Sequence, residues 1–314
     1  MREWVEPVWF AELPGEAGIF TRNHPLAPLT TIEVGGPAEV WAAEVAGWDG
    51  MAALVRWCNA HEVSLTLIGK GSNLMIRDGG IAGVVVHVAK GFDAVTVDGV
   101  RIYAEAGVAC GTVARAAREA ELEGLAFLGG IPGSVGGALR MNAGAYGHET
   151  YAAVTRLWVV DAEGVTQEVE PGFVKPRYRG TELPQGWIYK AAEWELKAGS
   201  KEEIRKQMQE INRARSSSQP LHLPSSGSWF KNVKKDGETV NAWRIVDEAG
   251  CRGMRVGGAM VSEQHSNFFV NIGATEGKPA TAAEFEALSV QVEAQVKARL
   301  GIVMEREVRF TGVE

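Results

Sequence analysis

The octapeptide SSGSWFKN, Ser225 to Asn232, sets one serine, Ser228, next to Gly227 and close to Lys231 and Asn232. A hydroxyl in that setting is either an ordinary loop residue or a group that handles a proton, and spacing alone leaves both readings open. Two glycine-rich segments offer a second kind of chemistry. The first, GKGSNL, comprises Gly69, Lys70, Gly71, Ser72, Asn73 and Leu74 and follows an apolar strand. Its glycines permit a tight turn whose N–H groups converge as an anion nest. It has neither Walker spacing nor G-x-G-x-x-G spacing, so a plain turn is the competing reading. The second is GGIPGSVGGA, with Gly129, Gly130, Ile131, Pro132, Gly133, Ser134, Gly136 and Gly137. Such a run packs poorly and costs backbone entropy to order. Close approach of backbone to a ligand is one reason for it; a crossover between strands is the other. Two such loops together suggest a pyrophosphate held between them.

The elements around these segments can be read from their periodicities. A strand is expected from Ala38, and WDGMAALVRWCNAHEV carries Met51, Leu54, Val55 and Cys58 at helical spacing. LTLIG and the β-branched IAGVVVHV read as buried strands. Asp98-Gly99 is the strongest hairpin signal, and CGTVARAAREAELEG reads as a helix ending at Gly124. LGGIPGSVGGALRMNAGAYG reads as a loop throughout, and RLWVVDAEGVTQEVE as strand, turn, strand. From about Ser200 the texture changes. Ser200 to Glu203 and Thr281 to Glu284 have capping-box spacing, and each opens a helix, the second stopping at Gly301. IVMEREVRFTG reads as a last strand. The first twenty or so residues read as a leader.

Bulk numbers bound the answer. A chain of 314 residues with 46% hydrophobic content exceeds one comfortable core and suits two or three domains. The net charge of -7 and the lack of a long basic run argue against nucleic acid; a small anionic ligand needs only a local basic cluster. Three scattered cysteines, Cys58, Cys110 and Cys251, make neither a disulfide framework nor a metal site and fit a reducing cytoplasm. No run approaches the roughly 18 apolar residues of a membrane span.

LTLIGKGSNLMIRDGGIAGVVV, LAFLGGIPGSVGGALRMNAGAYG, SSGSWFKN, VGGAMVSEQHSNFFVN and MEREVRFTG, in that order, resemble the UDP-N-acetylenolpyruvoylglucosamine reductase family over roughly Leu26 to Gly312. The resemblance implies an α+β fold: a two-part FAD-binding domain of the vanillyl-alcohol oxidase type and a C-terminal substrate domain. The corresponding segments are 1–85, 86–197 and 198–300, with 301–314 returning to the active site. It implies a cytoplasmic, monomeric flavoenzyme of peptidoglycan synthesis that uses FAD and NADPH and binds a UDP-sugar, with no metal.

By the same resemblance Ser228 is the proton donor, while Arg179 and Glu307 stabilise the enolate that follows hydride addition from the flavin. Arg179 stands in KPRYRGTELP, where the family has Tyr-Arg-Asp-Ser and this chain has Tyr178-Arg179-Gly180-Thr181, so Arg177 is a rival. Strand alternation would put Glu305 on the same face as Glu307, leaving the motif to favour Glu307. FAD contacts are carried over to the two glycine-rich segments, to Asn142, Ala143 and Gly144, and to Arg309. Substrate contacts are carried over to Arg215, Lys231, Asn232 and His265. The interval between Arg179 and Ser228 has no room for the Tyr-bearing loop that one family type carries. The alternatives are a flavin oxidase of the same fold and a non-catalytic flavin or UDP-sugar binder. Ser228 and Glu307 standing together count against the second.

Overall fold

Strand and helix patterns resolve into three larger sheets with helices packed against them, beside four two-stranded ones among the described residues. The computed structural model describes residues 3–235 and 237–314. The first sheet runs Gly18–Pro25, Pro37–Val45, Ile81–His87, Leu65–Ile68. Its first pair is antiparallel, and both pairings of Ile81–His87 are parallel. Parallel strands need a crossover, and helix α1 (Gly47–Ala60) supplies it. Val84, Val85 and Val86 are all buried, as a strand covered on both faces requires. The apolar stripe of α1 packs Met51, Leu54, Val55 and Cys58 with Val40, Val84 and Val86, and Trp9, Phe10 and Leu13 of the N-terminal segment rest on the same core.

The second sheet is antiparallel throughout: Thr166–Val169, Val154–Val160, Ile188–Glu195, Arg101–Glu105, Val95–Asp98. Asp98 faces Arg101 across a two-residue turn, as the hairpin signal requires. Helix α2 (Cys110–Glu119) stops before Gly124, because Glu121 turns left-handed and Leu122–Glu123 pairs with Lys197–Ala198. Part of the second glycine-rich segment is not loop. Helix α3 (Val135–Met141) forms inside it and buries Val135, Ala138 and Leu139. These residues join Val113, Leu157 and Trp194 in one core. Helix α4 (Lys201–Ser218) brings Met208 and Ile211 to this second core, although its texture groups it with the segment that follows.

The third sheet is Ser225–Ser228, Phe268–Asn271, Ala259–Val261, Arg255–Val256. Helices α5 (Ala242–Glu248), α6 (Gly273–Glu276) and α7 (Ala282–Leu300) accompany it. Helix α7 starts at a complete capping box, Thr281 with Glu284, and ends at Gly301. The core between sheet and helices holds Trp229, Phe269, Phe285, Leu288 and Val292, and it takes in Ile32, Val34 and Met75 from the N-terminal part. Only Arg309–Thr311 of the tail is strand. It pairs in parallel with Leu74–Ile76, tying the end of the described chain to its first third.

Candidate active site

A cavity of about 790 Å³ opens where the glycine-rich segments, the Ser225–Ser228 strand and the tail converge. Lys70, Arg140, Arg179, Arg215 and Arg309 line it against two carboxylates, Glu33 and Glu307. The chain is acidic overall, yet its cavity wall is cationic. Such a wall attracts an anion.

One side of the cavity is built from main chain. Residues 69–74 line it, as do Gly130, Ile131, Pro132, Gly133, Ser134, Gly137, Ala143 and Gly144. The two segments meet closely: a Cβ on Gly69 would stand 2.3 Å from Ser134 Oγ. Gly71 has φ +61°, and a Cβ there would stand 2.1 Å from the Leu29 carbonyl oxygen. Among the described residues, the N–H groups of Lys70, Gly71 and Ser72 have no hydrogen-bond acceptor, nor do those of Ser134 and Gly137, while that of Gly133 is turned to the Cys110 sulfur. Ser226 Oγ, in the strand that carries Ser228, is buried without a partner among the described residues. A buried polar group such as Ser226 Oγ is costly unless something pairs with it.

The other side is built from charged side chains on three separate segments. Arg177 to Gly180 forms a tight turn closed by paired hydrogen bonds, and Arg179 within it has φ 57°. A non-glycine residue in that region is strained, and such strain collects at functional sites. The turn directs Arg179 to Glu307, with Nε 2.7 Å from Oε1 and side chains only 20% and 14% exposed. The guanidinium also lies 5.0 Å from the Tyr178 ring centroid. The Arg179 Nε–H has no aligned acceptor, so the contact is an ion pair more than a hydrogen bond. Burial raises the Glu307 pKa, against the opposing charges of Arg179, Lys231 and Arg309.

Backbone bonds fix these groups. The Glu307 N–H donates to the Trp229 carbonyl at 2.8 Å, and the Trp229 N–H donates to that of Asn267 at 2.8 Å. The serine strand is thus clamped between tail and third sheet, and Ser228 lines the cavity half-buried. Asn73 Nδ2 donates to the Glu307 carbonyl at 3.2 Å, joining the first glycine-rich segment to the tail. Glu305 and Glu307 do not share a face. The tail is irregular before Arg309, and Glu305 turns to solvent, 74% exposed, against Lys231. Arg177 is likewise outside, 59% exposed and paired with Glu182.

Several other expected residues lie off the cavity wall. Gly129 packs near Met208, and Gly136 sits where a Cβ would meet that of Ala106 at 2.9 Å. Asn142 is buried, ends α3 in a left-handed conformation, and donates from Nδ2 to Glu149 at 2.9 Å. Asn232 accepts from the Ala242 N–H at 2.9 Å, and Lys231 pairs with Glu305. His265 accepts from the Asn267 N–H at 3.3 Å and packs edge-on to Phe268, where burial lowers its pKa. Arg140 is a lining residue that no sequence signal marked. It donates to the Thr181 carbonyl at 3.2 Å, and the Thr181 hydroxyl returns a bond to the Arg140 carbonyl at 3.1 Å. Arg215, in the last turn of α4, also lines the cavity, with Nε 3.3 Å from Gln219. Cys110 is buried behind the second segment, its thiol pushed up to about 12 by burial, so it stays protonated.

Residues 219–311 match the description "UDP-N-acetylenolpyruvoylglucosamine reductase, C-terminal domain", and residues 42–170 match "FAD binding domain". The UDP-N-acetylenolpyruvoylglucosamine reductase of Azorhizobium caulinodans is 41% identical over 310 residues, covering 98% of this chain and 96% of that one. Its counterpart in Parvibaculum lavamentivorans is 40% identical over 301 residues, covering 96% and 94%. The crystal structure of the reductase from Thermus caldophilus superposes with a TM-score of 0.76 at 32% identity, covering 93% of this chain and 98% of that one. With this identity sustained across nearly its whole length, the chain belongs to the UDP-N-acetylenolpyruvoylglucosamine reductase family.

Proposed function

We propose that this chain reduces the enolpyruvyl double bond of UDP-N-acetylglucosamine enolpyruvate to give UDP-N-acetylmuramate, with Ser228, Arg179 and Glu307 acting at the double bond. Reductase activity in peptidoglycan synthesis, with FAD and NADPH, comes with the family. The residue roles are our reading. One observation carries it: Ser228 and the Arg179–Glu307 pair open on the same cavity as both glycine-rich segments.

The residues present fit FAD. Unpaired N–H groups at 70–72 and at 134 and 137 suit a pyrophosphate, and Gly137 has nothing nearer than 3.7 Å to a Cβ position, leaving room for a ligand. FAD held there and reduced by NADPH would supply the hydride for the double bond. Arg179 then offers its guanidinium to the negative charge that grows toward the substrate carboxylate. Burial moves Glu307 toward its neutral form, which lessens repulsion of that charge. Ser228 gives the proton to the other carbon. A serine hydroxyl is a poor acid, and the cations Arg179 and Lys231 near Glu307 favour the alkoxide it leaves. We read Arg140, Arg215 and Lys70 as the cations that receive the diphosphate.

We also read 1–85 and 86–197 as the FAD-holding parts, 198–300 as the substrate domain and 301–314 as the returning tail. The strand Ile188–Glu195 and α4 take up most of the interval from Arg179 to Ser228, which supports the family type without the Tyr-bearing loop. We read the protein as a monomer. Three free cysteines, all buried, support the cytoplasm.

The test separates two half-reactions in the FAD-loaded protein. Ser228→Ala should still be bleached by NADPH. Recovery of the yellow colour on adding the enolpyruvyl sugar nucleotide should slow by on the order of 10²–10⁴-fold, the usual contribution of a positioned acid. Recovery at the wild-type rate would remove Ser228 from the chemistry.

A further inference from the structure

The serine strand and the tail are gripped from behind by one turn of α7. The Trp229 indole N–H donates to Ser289 Oγ at 2.8 Å. Ser289 Oγ donates to Glu293 Oε1 at 2.9 Å. Arg306 Nε donates to the same oxygen at 2.5 Å. The order of donors is forced, because an indole N–H can only donate and a carboxylate can only accept. Ser289 and Trp229 are both fully buried, so the bond between them is made away from water, while Glu293 and Arg306 reach toward the surface. Arg306 also pairs with Glu286 at 3.7 Å and lies 5.3 Å from the Phe310 ring centroid. Phe310 in turn meets Trp229 edge-on.

Trp229 follows Ser228, and Arg306 precedes Glu307. One carboxylate therefore holds the nearest neighbours of both groups, on segments far apart in sequence. Neither Ser289 nor Glu293 lines the cavity. We propose that Ser289 and Glu293 are positioning residues that set the spacing of Ser228 to Glu307 and so govern protonation of the substrate. This rests on the roles read above for those two residues. The bracket makes no bond to the 129–144 segment, so its loss falls mainly on one half-reaction. A displacement of about 1 Å can cost on the order of 10²-fold in rate.

The experiment uses FAD-loaded wild type, Ser289→Ala, Ser289→Thr and Glu293→Gln. Threonine keeps the hydroxyl; glutamine keeps an acceptor oxygen and loses the charge. For Ser289→Ala, recovery of colour with the enolpyruvyl sugar nucleotide should slow roughly 10- to 100-fold, with bleaching by NADPH within about twofold of wild type. Ser289→Thr should restore most of the loss, and Glu293→Gln should fall between. Amide exchange gives a readout without turnover. Segments 226–231 and 305–309 should exchange faster in Ser289→Ala and not in Ser289→Thr, with 129–144 unchanged. Equal loss in both half-reactions, failure of threonine to rescue, or a wild-type recovery rate in Ser289→Ala would overturn the proposal. Wild type that is bleached by NADPH but never recovers with the substrate would overturn the catalytic reading itself, and this inference with it.

Discussion

The two walls of the cavity are made of different material. The wall at 69–74 and 129–144 presents main-chain N–H groups on glycine-rich backbone, held by the close approach of Gly69 to Ser134. The opposite wall presents Arg179, Glu307 and Ser228, side chains brought from a turn, a tail and a strand. A backbone wall tolerates little added volume and depends little on side-chain chemistry. A side-chain wall keeps its shape after a conservative change and loses its chemistry. The two can therefore be broken separately.

The largest expected effect is on the side-chain wall. Arg179→Ala should lower recovery of oxidised flavin by substrate by on the order of 10²–10³-fold, as removal of a charge-stabilising donor does elsewhere, with FAD still bound. Stopped-flow absorbance checks it, and parallel loss of FAD would blur the contrast between the walls. Gly71→Ala should come next, and on the other wall. Both its positive φ and the Leu29 carbonyl oppose a methyl group, so a cost of about 1–3 kcal/mol in stability is expected, together with loss of FAD on purification. Flavin-to-protein absorbance ratio and thermal unfolding report it. Gly137→Ala sharpens the point. It should leave the apoprotein as stable as wild type or more so, yet weaken FAD binding in a fluorescence titration. Unchanged FAD affinity would place the flavin elsewhere along the wall.

A smaller effect follows from Glu307. Its folded pKa is raised, so above the ordinary carboxylate range the folded state holds the proton that the unfolded chain releases. Stability then falls as pH rises through that window. Glu307→Gln removes the dependence. The melting temperature of the variant relative to wild type should rise between pH 4.5 and pH 8, and scanning calorimetry across that range measures it. The smallest effect belongs to Arg177→Ala. Its pairing with Glu182 is exposed, and such pairs contribute about 0–1 kcal/mol, so both half-reactions should stay near wild type. A large loss of activity would return Arg177 to the site.

The walls also differed in how plainly the sequence announced them. Glycine content marked the backbone wall, since a run that cannot pack a core needs another use. It also misled, because the low helix propensity of Gly136 and Gly137 concealed α3, which forms because Val135, Ala138 and Leu139 find a core. Gly129, Gly136 and Asn142 look like the lining glycines and amide in the sequence, yet tertiary packing uses them to let Met208 and Ala106 approach and to end a helix. On the side-chain wall, periodicity could not separate Glu305 from Glu307, since it assumed a strand that begins only at Arg309. Arg140 left no local trace, because an arginine on a short helix looks the same whether it faces a cavity or water. Ser289 and Glu293 were hidden for the same reason: their i, i+4 spacing is ordinary, and its use depends on Trp229 and Arg306 arriving from elsewhere.

The bond from Asn73 to Glu307 joins residues 234 positions apart. At translation rates of about 5–20 residues per second, roughly 10 to 50 s pass between the making of one partner and the other. For the later part of that interval, once residue 137 has been made, the nascent chain contains both glycine-rich segments and still lacks Glu307. The order of synthesis thus gives the flavin cradle a head start over the chemistry, and a ribosome stalled short of residue 307 would hold a chain whose catalytic wall is incomplete.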